Sequence, residues 1–302
     1  MRDLCQVGRH EDRRVKPAPF EWHAPASVEE ALALKARHGD DARFLAGGQS
    51  LVPAMNFRVA QPAVLVDLNR VAELAGIVAG ADGSLTIGAM TRKAVLERDA
   101  GAARTHPILA EALHEVAHPQ VRNRGTLGGN LSHADPASEM PAVMVALGAV
   151  FVIRGASGTR EVAAADFFLG PLTTALEPDE MLVAIHLPPL PARTGAAWLE
   201  VARRRGDYAM MGVAAVVTRR ADGTCTAASL ACCSAGPTPM AAPRAAASLV
   251  GTTLTDADIA AAADLLRQEV EPTGSVQASP TSQRHLAGVI ATRALATARG
   301  RA

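Results

Sequence analysis

The sequence predicts an α+β protein, with two α/β units followed by a third unit in which the sheet precedes its helices. Three observations predict it. Short apolar runs alternate with capped helical segments through about residue 187. Pro188-Pro189-Leu190-Pro191 then breaks the pattern as a linker. Beyond it, three alternating strand-like segments precede two helical ones. The implied division is a loose extension at 1–16, a first unit at 17–73, a second at 74–190 and a third at 191–302.

Residues 1–16 carry Arg2, Arg9, Arg13, Arg14 and Lys16 among acids, without periodicity, and read as a tail consistent with an upstream start codon. Structure begins near Pro17-Ala18-Pro19-Phe20. Ser27 and Glu30 form a capping box, Ala31, Leu32 and Leu34 give its helix an apolar face, and Gly39 ends it. Phe44-Leu45-Ala46 and Val64-Leu65-Val66-Asp67 are strands. Ile77–Ala79 and Leu85–Gly88 form a hairpin around Asp82-Gly83. Thr91 is placed to cap a helix through Glu97, and Pro107 to open one through about Ala117. Asp135-Pro136 reads as an N-cap with proline at the first helical position, opening a helix to about Leu147. Strands follow at 150–154, 161–163 and 181–187. In the third unit 197–203, 212–219 and 225–232 alternate as strands of one antiparallel sheet. Thr255 opens a helix to about Val270, and Ser279-Pro280 opens the last one, ending before Gly300.

Composition excludes several functions. Thirty basic and thirty acidic residues balance, which gives no electrostatic case for nucleic acid or an anionic membrane as partner. Cys5, Cys225, Cys232 and Cys233 form no C-x-x-C pair, so neither a metal-cluster spacing nor a disulfide framework is present. Reduced thiols in a cytoplasm are expected. The charged start has no secretory h-region. The longest apolar run, 142–153, falls short of the roughly 20 residues that span a bilayer; with Gly148 inside it, it reads as a helix end feeding a buried strand.

Chemistry concentrates in two glycine-rich segments about eighty residues apart. The first is Ala46-Gly47-Gly48-Gln49-Ser50 and the second Gly125-Thr126-Leu127-Gly128-Gly129-Asn130. Adjacent glycines can turn successive amides toward an anion, and without Cβ atoms a phosphate approaches the main chain closely. Ser50, Thr126 and Asn130 add side-chain donors. Alone, the first segment reads more readily as a tight turn and the second equally well as one; together, one diphosphate held from both sides explains both. Neither is a Walker loop or a Rossmann G-x-G-x-x-G.

Behind the second segment lie Ser132, His133, Ala134, Asp135 and Glu139. A helix starting near Pro136 favours anions at its N-terminus. Glu139 could accept from ribityl or ribose hydroxyls, whereas Asp135 is more simply an N-cap. His133, Asp135 and Glu139 as a metal set is a lesser alternative, as is a metal at His114 and His118. Arg203–Ala209 offers Tyr208, the only tyrosine, as a half-buried ring or as a planar cover for a planar cofactor. No nucleophile elbow and no acid/base carboxylate pair is found.

These residues resemble the FAD-binding medium subunit of the molybdenum hydroxylases, a family that includes molybdenum carbon monoxide dehydrogenase and xanthine dehydrogenase. Both double-glycine segments fit, as do Pro17–Phe20, Asn56-Phe57-Arg58, the Asp135-Pro136 turn and Gly206-Asp207-Tyr208-Ala209. The resemblance runs from about residue 17 to 300. It implies a PCMH/vanillyl-alcohol-oxidase-type FAD-binding fold of two α/β subdomains plus a C-terminal α+β domain. FAD would lie between the first two, its diphosphate held by residues 46–50 and 126–130. Ala134, Asp135 and Glu139 would flank its ribityl and adenosine portions, Leu182 would stand near the flavin, and Tyr208 would cover the isoalloxazine. The implied role is electron relay, from an iron–sulfur small subunit with two 2Fe-2S clusters to an external acceptor. A molybdopterin-binding large subunit would hydroxylate the substrate, within a dimer of heterotrimers. There are departures: Glu200 stands where several relatives carry lysine, Gln49 where some carry histidine, and the cysteine-bearing insertion of one benzoyl-coenzyme A reductase branch is missing. With no cysteine or histidine placed for a covalent bond, the FAD would be non-covalent. Two other readings are a stand-alone flavin oxidase and an assembly subunit that has lost FAD.

Overall fold

The computed structural model describes residues 16–302. The expected tail, apart from Lys16, lies outside them, as does Cys5.

Three main sheets organise these residues. The first holds β1 (Glu21–His23), β2 (Ala42–Leu45) and β3 (Val64–Asp67), with β3 central and parallel to both neighbours. The helix Val28–His38 links β1 to β2. Ser27 Oγ accepts from the Glu30 amide at 3.2 Å, while the Glu30 carboxylate reaches back to the Ala26 amide at 2.8 Å, one residue earlier than a standard box places it. Gly39 ends the helix at φ 53°.

The second sheet has the order β4-β5-β10-β6-β7, all antiparallel: β4 (Ile77–Ala79), β5 (Leu85–Gly88), β6 (Val150–Gly155), β7 (Gly158–Ala163) and β10 (Met181–Leu187). A small hairpin, β8 (Phe168–Gly170) with β9 (Thr173–Thr174), precedes β10. Its aliphatic face packs on helices Ile108–Glu115, Leu127–His133 and Glu139–Ala146, and Phe151, Phe167 and Phe168 meet edge to face.

The third sheet runs β11 (Thr194–Val201), β12 (Met211–Arg219), β13 (Cys225–Cys233) and β14 (Met240–Ala241), each antiparallel to the next. Alternation along β12 divides it between two cores. Ala214 and Val216 join the core of the second sheet, whereas Val213, Ala215 and Val217 pack with helices Pro243–Leu249, Asp256–Glu269 and Pro280–Arg301. Thr255 and Asp258 complete a reciprocal capping box at the start of the second of these helices.

Three sequence expectations are corrected. Thr91 does not cap a helix: its hydroxyl is bound to the amide and carbonyl of Gly76 at 3.0 and 2.9 Å, and the helix begins at Lys93. Asp135 does not cap the helix that follows it, which starts at Glu139 after Ser138; Asp135 Oδ1 instead accepts from the Ala137 amide at 2.9 Å, closing a turn. The final helix continues through Gly300 to Arg301, because the sheet it covers supports it to the end.

Candidate functional site

The two glycine segments meet, but they are not alike. Residues 46–50 turn from β2 into the short helix Leu51–Asn56. Gly48 adopts φ 71°, where glycine is favoured. The main-chain amides of Gly47, Gly48, Gln49, Ser50 and Leu51 find no acceptor among the described residues. The Ser50 hydroxyl makes no cap bond either. A run of unpaired main-chain donors of this kind is suited to an anion. Asn69 braces it, donating from Nδ2 to Ala46 O at 3.0 Å while its own amide is held by Asp67 Oδ1 at 3.0 Å.

The second segment is not a loop. Residues 127–133 form a helix with Thr126 as N-cap. Every amide of its first turn is engaged: Leu127 to Thr91 O at 3.0 Å, Gly128 to Ala89 O at 2.8 Å, Gly129 to Thr126 Oγ1 at 3.0 Å and Asn130 to Thr126 O at 3.2 Å. The Asn130 side chain is paired with Ser138 at 2.8 Å. The two segments therefore differ: the amides of 47–51 are unpaired, whereas those of 127–130 are engaged within the protein.

The glycines explain how the two come together. A Cβ on Gly47 would stand 2.3 Å from Arg124 O and 2.7 Å from Gly125 Cα. One on Gly128 would stand 2.5 Å from Ala89 Cβ, and one on Gly129 3.1 Å from Ala46 Cβ. Arg92 bridges the seam, donating to Arg124 O and to Asn69 Oδ1.

A cavity of about 350 Å³ opens here. Ala46, Gly47, Gly48, Gln49, Ser50, Thr126, Gly128, Gly129, Asn130 and Leu182 line it. Leu182 reaches it from a bulge in β10, where the register shifts between Leu182 and Ala184. Sequence reasoning did not select Arg43, Met90, Lys93 or Glu180, which line it too, and it weighed His133 only as a metal ligand. Lys93 carries no local sequence signal of this placement, which depends on the packing of its helix against Gly125.

Ala134, Asp135, Glu139 and Tyr208 do not line this cavity. Ala134 ends the helix 127–133 at φ 50°. Asp135, Glu139, Tyr208 and Glu200 instead form an acidic group where the second unit meets the third sheet. Ser234 ties this region together: its amide donates to Pro136 O at 2.8 Å, and its hydroxyl donates to Ala209 O at 2.6 Å. Tyr208 is 62% exposed rather than half-buried. Burial pushes Glu139 up to about 7, against the pull of Lys93. Burial, reinforced by Glu139, pushes Glu200 up to about 8, and Trp198 Nε1 donates to it at 3.1 Å. His133, Asp135 and Glu139 are not assembled around a metal, nor is any other group of three such ligands among the described residues. His114 faces Glu97 at 3.3 Å.

Residues 18–190 match the family described as the FAD binding domain in molybdopterin dehydrogenase, and residues 196–298 match the CO dehydrogenase flavoprotein C-terminal domain. The chain belongs to the FAD-binding medium-subunit family of the molybdenum hydroxylases. One family relative, the 6-hydroxypseudooxynicotine dehydrogenase complex subunit alpha of Paenarthrobacter nicotinovorans, is 41% identical over 95% of this chain and 97% of its own length. The carbon monoxide dehydrogenase medium chain of Hydrogenophaga pseudoflava is 40% identical, with 92% and 96% covered. Among solved structures, reconstituted CO dehydrogenase from Oligotropha carboxidovorans superposes with a TM-score of 0.92 at 38% identity, covering 95% of this chain and 99% of that one. This family's fold is thus the α+β flavoprotein architecture expected. Among the described residues no helix is long and apolar enough to cross a membrane.

Proposed function

We propose that this chain binds FAD non-covalently and serves as the electron-transfer subunit of a heteromeric molybdenum hydroxylase. In that complex an iron–sulfur small subunit would deliver electrons and a molybdopterin-binding large subunit would hydroxylate the substrate. The proposal extends to a dimer of heterotrimers, a cytoplasmic location and a division at residues 73 and 190. The observation that carries it is the run of five unpaired amides at Gly47–Leu51, in residues that line a cavity shared with the capped helix.

The residues fit a dinucleotide. A diphosphate needs several donors from a short stretch of main chain, and the 46–50 turn with Leu51 offers them. When bound, the isoalloxazine of FAD supplies the exchange between single-electron and two-electron steps. The protein's share is placement. Gly47, Gly48, Gln49 and Ser50 would donate to the diphosphate. Gly128, Gly129 and Asn130, whose amides are engaged, would act through shape, with Thr126 beside them as the helix cap. Leu182 would exclude water from the wall. Asp135, Glu139 and Tyr208 lie outside this cavity, toward the third sheet, and would meet hydroxyls and ring only where the cofactor extends beyond it.

The test is co-expression with candidate large and small subunits, followed by flavin analysis. FAD released by acid precipitation, with bleaching that requires the partner subunits, is expected. Full-length protein that neither retains nor rebinds FAD would refute the reading.

A further inference from the structure

One charged group in the cavity wall has no task in the fold. Lys93 opens the helix Lys93–Arg98, its amide donating to Gly125 O at 2.9 Å. The residue is 6% exposed, and its side chain lines the cavity. Among the described residues its ammonium makes no hydrogen bond and no ion pair. Lys35, the other buried lysine, differs: its ammonium donates to Gly39 O at 2.5 Å and Ala42 O at 3.0 Å, closing a helix end. A buried cation left without a partner is costly, so Lys93 calls for a counter-charge from elsewhere.

The protein supplies one only in part, through Glu139. Arg122 approaches on one side but is occupied by Glu97 Oε2 at 2.8 Å and by the carbonyls of Val116 and Ala117. Glu139 approaches on another, without forming a pair, and its burial disfavours its own anion. On the cavity side stand Arg43, His133 and Glu180, the last held by Arg160 at 2.6 Å. The approach to the amide-donating turn is short. A Cβ on Gly125 would stand 3.6 Å from Lys93 Cε and 3.7 Å from Gln49 Cγ, so the lysine stem and that turn flank the same glycine.

We propose that Lys93 is an anion-binding residue of the cofactor site, its ammonium serving as counter-charge to a diphosphate seated against the amides of Gly47–Leu51. The inference rests on the FAD reading. It makes the site two-sided, with main-chain donors from one segment and one side-chain cation in the wall. Burial, only partly offset by Glu139, lowers Lys93 to about 8. A diphosphate diester keeps its charge from pH 7 upward, so binding weakens as pH rises through that value and the ammonium is lost.

Calorimetry on the full-length apoprotein tests this, with FAD and with ADP, which carries a diphosphate but no isoalloxazine. Lys93→Met is expected to weaken both ligands by about 10- to 100-fold at pH 7, with Lys93→Arg retaining most of the affinity. Wild-type affinity should fall about tenfold between pH 7 and 9.5, and Lys93→Met should flatten that profile. Unchanged affinities in Lys93→Met overturn the inference, as does a loss for FAD but not for ADP, which would move the lysine to the ring. If Lys93→Met fails to fold, a flat wild-type profile for FAD, whose diphosphate diester carries a constant charge in this range, still overturns it. Wild-type protein that binds no FAD at any pH refutes the FAD reading and this inference with it; FAD binding that ignores Lys93 refutes this inference alone.

Discussion

Gly47→Ala puts the seam between the two segments to a direct test. The added methyl would stand 2.3 Å from Arg124 O, 2.7 Å from Gly125 Cα and 2.9 Å from Arg124 C. All three are backbone atoms, so no side chain can swing aside. Ordinary non-bonded contacts are near 3.5 Å, so the segments must part by about 1 Å. Overpacking of this kind costs about 1–3 kcal/mol. At roughly 2–4 °C per kcal/mol, the apoprotein Tm should drop by about 2–12 °C. Parting the seam also tilts the amides of 47–51 away from the cavity. Losing one or two charge-assisted hydrogen bonds, at about 1.5–3 kcal/mol each, corresponds to at least tenfold weaker FAD binding. Thermal denaturation of the apoprotein and quenching of FAD fluorescence measure the two effects separately. A Gly47→Ala protein with wild-type Tm and wild-type FAD affinity would refute both the contact and its role.

Two further outcomes follow from the same region. Thr126→Val keeps the shape but removes the acceptor for the Gly129 amide, and should cost about 1 kcal/mol by chemical denaturation while leaving the sheets intact by circular dichroism. Glu139→Gln should change how stability depends on pH. Burial raises the Glu139 carboxyl from 4.5 to about 7 in the folded protein, so the unfolded chain loses this proton first. Its contribution is fully present below about pH 4.5 and is lost as pH rises through about 7. Denaturation between pH 5 and 8 should show wild-type stability falling relative to the glutamine variant; parallel curves would contradict the burial argument.

Much of this protein was legible before its coordinates. Ser27, Thr255 and Ser279 each cap the helix expected of them, because a capping side chain acts within three residues. The three segments after the proline linker pair as an antiparallel sheet, since alternation alone decides which face is buried. The family resemblance placed the fold. What eluded the sequence was long-range. Thr91 was spent on Gly76, fifteen residues back, and Asp135 on its own turn. β1 lies too close to the start, and is too short, to show periodicity. At the site, the double glycines pointed to close approach, and part of that approach is to the protein itself. Gly47 and Gly128 make room for neighbouring backbone, and only contacts across more than thirty residues reveal it. Lys93 escaped for the same reason: nothing near it in the chain marks its helix as one that turns inward.

The unequal treatment of the two glycine segments has a kinetic meaning. Amides locked at Leu127, Gly128, Gly129 and Asn130 exchange hydrogen only when the surrounding body opens, whether or not a ligand is present. Those of Gly47–Leu51 have nothing to shield them until a guest arrives. Deuterium uptake would thus act as an occupancy gauge confined to one short stretch of chain, and the empty protein would stand ready as a rigid half-mould awaiting its other half.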